Sequence, residues 1–242
     1  MITRRIALAA GLAVPAAAVA QRRSSSTPQT RSLPPAPVVN GKSALNPDQA
    51  LALLRDGNAA FLRDELALPE VGAQRRLQLA RGQAPFCAYV SCSDSRVPPE
   101  LLFGRGLGEL FIVRNAGNTV DTVARGSIKF AVAELGVPLV VVMGHESCGA
   151  VKAAMDVVDK NTRFPRGISD MIEPIIPAVL EARGQSGDRL ENAVRQNVRR
   201  VTRSLREESS SLITKPLAEG RLKVVGAYYD LDTGRVDFFD GA

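Results

Sequence analysis

At 242 residues the chain is long enough for one well-buried domain of ordinary size plus extensions. A hydrophobic fraction of 45% excludes a disordered chain. The net charge of +6 belongs mostly to a leader: Arg4, Arg5, Arg22, Arg23 and Arg31 meet no acidic residue in the first 31 positions, and beyond them 26 basic residues face 25 acidic ones.

A balanced folded part, with three tyrosines and no tryptophan, gives no case for nucleic-acid binding. Thr3-Arg4-Arg5-Ile6-Ala7-Leu8 opens the chain, and apolar residues follow to Ala20. That run is too short and alanine-rich for a membrane span. Residues 1–20 read as an export signal of the twin-arginine type, cleaved after Ala18-Val19-Ala20. An uncleaved amphipathic segment is the alternative. Export predicts a periplasmic or secreted protein, with membrane contact only through the transient leader. Residues 21–44 are rich in Ser, Pro, Thr and Arg and predict a disordered linker. Residues 45–242 then form a single domain that carries the chemistry.

Asn46-Pro47 has the chemistry of a helix start. Ala50, Leu51, Leu54, Phe61 and Leu62 recur after it at helical spacing. This helix packs on the core or covers a partner subunit. Apolar runs at 86–91, 110–113 and 139–143 predict buried strands, and a helix is expected over 122–135. Two more helices are expected at 169–183 and 188–208. The second carries Leu190, Val194, Val198, Val201 and Leu205 on one face. The chain closes with a strand at 222–229, a turn at Asp232-Thr233-Gly234 and a strand at 235–239. The fold class is α/β: a mostly parallel β-sheet flanked by helices, with a C-terminal strand-turn-strand at the sheet edge.

Three cysteines are an odd number, which argues against a disulfide framework. Cys87 lies inside an apolar run and reads as a buried thiol packing as a small hydrophobe. Cys92 and Cys148 differ, because each lies in a polar turn beside titratable groups. Cys92-Ser93-Asp94-Ser95-Arg96 follows the first buried strand, and Gly144-His145-Glu146-Ser147-Cys148-Gly149 follows the third. In a parallel sheet both strand ends open at one edge. His145 is the only histidine. Two cysteines and one histidine are a soft, zinc-type ligand set, one short of a closed structural site. The fourth position is left to water or Asp94. No Cys-x-x-Cys pair exists to support a thiol redox protein.

With these motifs the chain resembles the β-class carbonic anhydrases. Cys92 to Pro98 and Gly144 to Gly149 match the two signatures of that family. Val113-Arg114-Asn115-Ala116-Gly117-Asn118 resembles a third, in which the family often has alanine in place of Gly117. The likeness spans residues 46–239. It implies one zinc ion per subunit on Cys92, His145 and Cys148. It also implies a homodimer or dimer of dimers, a zinc site near the subunit interface, and an N-terminal helix that reaches across to the partner. In the family Asp94 accepts a hydrogen bond from the zinc-bound water and Arg96 holds Asp94. In a closed, inactive form Asp94 takes the fourth zinc position. Gln83, Phe111, Phe130 and Gly149 are the implied substrate-binding residues, with Phe130 where plant-type members carry a tyrosine. Regulated members carry a tryptophan three residues before the first cysteine; here that residue is Tyr89.

The implied reaction is reversible hydration of carbon dioxide to bicarbonate and a proton. Zinc lowers the pKa of its bound water from about 15.7 to about 7, making hydroxide available as nucleophile. The Asp94–Arg96 dyad orients that hydroxide, and pairing keeps Asp94 ionised and off the metal. No second histidine exists to relay the proton, so its removal falls to buffer, or to carboxylates and tyrosines at the pocket mouth. A hydrolase for carbonyl sulfide or carbon disulfide on the same scaffold is an alternative. A catalytically silent zinc-binding homologue is another.

Overall fold

The computed structural model describes residues 32–66 and 71–242. The expected export leader lies outside them. Among the described residues, no helix is long and apolar enough to cross a membrane. Within the stretch expected as linker, β1 (Val38–Val39) and β2 (Lys42–Ser43) pair as a small antiparallel hairpin. Asn40 and Gly41 turn it with φ of 51° and 74°. A buried ion pair tethers this arm. Glu109 accepts from the Ala36 N–H (2.8 Å), and Arg105 donates to the carbonyls of Pro34 and Leu53. The composition of the arm could not show this, because its anchor lies 73 residues away in sequence.

Helix α1 (Pro47–Phe61) starts where the sequence predicts it. Asn46 accepts from the Gln49 N–H (2.9 Å) while the Gln49 side chain accepts from the Asn46 N–H (2.9 Å), a reciprocal cap with proline in the first turn. Ala50, Leu51 and Leu54 join the core of their own protomer, and Asn58 bonds the Gly234 carbonyl and the Val236 N–H, both at 2.9 Å. The helix therefore packs on the core of its own domain. The approach is close: a Cβ on Gly57 would lie 2.2 Å from the Phe103 carbonyl oxygen. Gly57→Ala is expected to cost about 2 kcal/mol through backbone overpacking, a Tm fall of about 4–8 °C. An unchanged melting curve would contradict this packing.

After α2 (Ala73–Leu79) come β3 (Cys87–Ser91), α3 (Pro99–Leu102), β4 (Leu110–Arg114), α4 (Thr122–Ala133), β5 (Leu139–His145) and α5 (Gly149–Lys160). Then follow α6 (Ile168–Ile172), α7 (Ile176–Glu181), α8 (Arg189–Arg206), α9 (Ser211–Ala218), β6 (Lys223–Tyr229) and β7 (Val236–Asp240). Asp121 and Asp188 cap α4 and α8 by accepting the N–H groups of Ala124 and Glu191. The single helix expected at 169–183 is broken into α6, a 3-10 turn (Glu173–Ile175) and α7. Pro174 and Pro177 each remove a backbone donor from that stretch, so a continuous ladder cannot form.

The sheet order is β4-β3-β5-β6-β7, with the first four strands parallel and β7 antiparallel to β6. The central strands are buried on both faces. Cys87, Tyr89, Leu139, Val141 and Met143 pack with α1, α5 and α7; Ala88, Val90, Val140 and Val142 pack with α4, α8 and α9. This is the pleat read from continuous apolar runs. Cys87 is wholly buried in the first of these layers, and burial pushes its thiol pKa up, so it is a core residue.

Candidate metal centre

Strands β3 and β5 are neighbours, yet the chain leaves them in opposite directions. From β3 it runs to β4 on one side; from β5 it runs to β6 on the other. Such a divergence opens a crevice at the carboxyl ends of the strands. Cys92 is the first residue after β3, and His145 is the last of β5. Ser147, with φ of 54°, bends the chain between His145 and Cys148, and Cys148 occupies the residue immediately before α5.

The ligand atoms of Cys92, His145 and Cys148 lie within 4.8 Å of one another, and all three residues are buried. The His145 Nδ1–H donates to the Glu146 carbonyl (2.8 Å), which leaves Nε2 as the lone-pair atom. That Nε2 is buried without a partner. A buried acceptor left unpaired costs about 1–3 kcal/mol, so an atom facing two sulfurs in this way fits a metal ion.

The thiols titrate as a pair. The neighbouring Cys148 thiol lowers the Cys92 pKa, while the interaction with Cys92 and burial push Cys148 up. Both thiolates are favoured: the Gly117 N–H donates to Cys92 Sγ (3.3 Å), and Cys148 stands at the positive N-terminal end of α5. A metal would displace the shared proton.

Asp94 lies beside the triad, its Oδ2 3.9 Å from His145 Nε2. Three donors from Arg96 hold it: the backbone N–H (3.0 Å) and Nε (2.9 Å) to Oδ1, and Nη2 (2.8 Å) to Oδ2. The Arg96 hydrogen bonds hold the Asp94 carboxyl well below the usual carboxylate range. Arg114, at the end of β4, donates to the carbonyls of Cys92 (2.9 Å) and Asp94 and so fixes the loop that carries them.

The chain matches the carbonic anhydrase family model over residues 87–236. It is 40% identical over 193 residues to a carbonic anhydrase of Mycolicibacterium smegmatis, covering 79% of this chain and 93% of that one. It is 39% identical over 191 residues to carbonic anhydrase 2 of Mycobacterium tuberculosis, covering 78% and 91%. The chain belongs to the β-carbonic anhydrase family.

Solved structures agree. A tetrameric β-carbonic anhydrase of Sordaria macrospora superposes with a TM-score of 0.61 at 28% identity, covering 68% of this chain and 85% of that one. One from Aspergillus fumigatus gives 0.60 at 28%, covering 81% and 91%.

Within one protomer the β-carbonic anhydrase fold gathers Cys92, Asp94, Arg96, His145 and Cys148, with Gly149 opening α5 beside them. It does not bring Gln83, Phe111 or Phe130 to this centre. Gln83 precedes β3 and so lies at the opposite edge of the sheet, exposed in a cleft of about 510 Å³ with Arg75, Leu79 and Glu109. Phe111 pairs with Ala88, four residues before Cys92, on the order of 13 Å away along the strand. Its ring stacks at 6.3 Å on that of Phe130, which is half exposed on α4. Tyr89 is core, its hydroxyl donating to the Met143 sulfur (2.6 Å).

The motifs did not reveal the roles of Arg114 and Gly117, although both lie in the stretch Val113 to Asn118 at the end of β4. Nor did they reveal that of Glu146, whose carboxylate accepts the Leu231 N–H (2.9 Å) and ties the metal loop to the turn between β6 and β7.

Proposed function

We propose that this β-carbonic anhydrase hydrates carbon dioxide reversibly at one zinc ion per subunit, held by Cys92, His145 and Cys148. The observation that carries the reading is the unpartnered His145 Nε2 facing two sulfurs, beside an arginine-locked aspartate. A bound zinc ion supplies the Lewis acidity that makes water a nucleophile near neutral pH. Asp94 accepts the hydrogen bond of the attacking water and so aims its lone pair at the carbon. Arg96 occupies both Asp94 oxygens from the far side, which keeps the carboxylate ionised and limits its swing toward the ligands. The Gly117 N–H on Cys92 and the N-terminal end of α5 at Cys148 offset the negative charge of two thiolates. Zinc analysis and a stopped-flow hydration assay, run beside carbonyl sulfide and carbon disulfide, test the reading. A metal-free protein that hydrates carbon dioxide would sink it, as would preference for either sulfur gas.

We further propose a homodimer or dimer of dimers. Strand β4 is a sheet edge paired on one side only, and Val123 and Phe130 stand exposed on the adjacent α4. The solved relative from Sordaria macrospora is tetrameric. Light scattering is expected to give at least twice the protomer mass of 25.8 kDa; a monomer with full activity would refute this.

A further inference from the structure

We infer that Asn197, on α8, is a positioning residue for the metal ligand Cys92, acting through Gly117. This rests on the reading of Cys92 as a ligand.

Helix α8 contributes no ligand, yet it packs directly on the strand that carries one. Gly144, the neighbour of His145, has no side chain: a Cβ there would lie 2.5 Å from Val194 and 2.9 Å from Val198. The glycine thus lets α8 settle against the end of β5. Asn197 lies on the same helical face as these two valines, three residues after the first. It is 2% exposed, one of two polar side chains, with Thr202, on the buried face of α8.

Its amide has a specific target. Asn197 Nδ2 donates to the Gly117 carbonyl (2.8 Å), and the Gly117 N–H donates to Cys92 Sγ (3.3 Å). Gly117 holds a left-handed φ of 67°, and a Cβ there would meet Ile175 at 2.6 Å and Ala150 at 3.1 Å. Steric confinement fixes where the residue sits. The Asn197 bond to its carbonyl fixes how it is rotated, and so where its N–H points. A hydrogen bond to a thiolate draws charge from the sulfur and sets how much reaches a metal. A helix that supplies no ligand thereby tunes one without touching it.

Two variants remove the amide: Asn197→Leu, nearly isosteric, and Asn197→Ala, free of any clash. Thr202→Val is the control. Thr202 is equally buried on the same helix, but its hydroxyl bonds the Arg199 carbonyl and Asp240, away from Gly117. Zinc affinity is measured by chelator competition, and the thiolate-to-cobalt absorption band after cobalt substitution. Both Asn197 variants are expected to bind zinc about 10–100-fold more weakly and to shift the cobalt band, while Thr202→Val changes neither. Wild-type affinity and an unmoved band in the Asn197 variants would overturn the inference. So would an equal change in Thr202→Val, or a failure of both Asn197 variants to fold when Thr202→Val folds, since Asn197 would then serve the fold alone. A wild-type protein that binds no zinc would instead defeat the assignment of Cys92 as a ligand.

Discussion

Arg96→Ala is expected to lower kcat/KM for carbon dioxide hydration by about 100–1000-fold while zinc stays bound. Three of the donors that hold Asp94 come from Arg96, two of them from the guanidinium. Without those two, the carboxylate keeps only a backbone N–H and can rotate. Its Oδ2 already stands 3.9 Å from His145 Nε2, so a small swing carries it to the metal face of the triad. There it would occupy the position that water needs. Arg96→Lys should recover little, because an ammonium cannot reproduce the two-point grip. Ionisation does not explain the loss. The arginine lowers the Asp94 pKa, so its removal lets that pKa rise toward the ordinary value of about 3.9, and Asp94 stays charged at neutral pH. Any recovery at raised pH should therefore come from hydroxide competing with the carboxylate for the fourth position, and not from Asp94 ionisation. Stopped-flow rates with zinc analysis measure the effect. A variant structure with Asp94 away from the metal and an open fourth position would reject the explanation.

Cys148→Ser should lose both zinc and activity to background. A serine hydroxyl does not ionise near neutral pH and is a hard ligand where a soft one is needed. Two ligands would remain of three. The N-terminal end of α5 would then face an uncharged oxygen, and Cys92 would lose its neighbouring thiol. Zinc content per protomer and hydration rate are the readouts. Stripping zinc from the wild type should lower its stability by about 4 kcal/mol when free zinc had been at 1,000 times Kd. The contrast is Cys87→Ser, buried in the sheet and outside the triad, which should keep its zinc. A fully loaded, active Cys148→Ser protein would refute the ligand assignment.

Much of this centre was legible in the sequence because its parts are local. Cys92 and His145 each end a short apolar run, and parallel strands bring such ends to one edge. Asp94 and Arg96 lie within four residues of the first ligand, so their pairing follows from short-range geometry. The cap at Asn46 was readable for the same reason. What escaped is long-range. The bond from Asn197 to Gly117 spans 80 residues and depends on how α8 settles over Gly144. Its signal was an asparagine on a largely apolar helix face. The hairpin at Val38–Val39 and Lys42–Ser43 is held by Arg105 and Glu109, which nothing in a Ser/Pro-rich segment announces. The break between α6 and α7 was available from Pro174 and Pro177, each of which removes a backbone donor. Gln83, Phe111 and Phe130 were named by resemblance, which transfers residues and carries no account of which protomer they serve.

His145 is the chain's sole imidazole, fully buried, with Nδ1–H tied to a carbonyl and Nε2 facing the sulfurs. Nuclear magnetic resonance of the histidine ring will therefore show one set of signals, free of overlap. Its chemical shift should report occupancy of the centre directly, giving a label already built into the polypeptide.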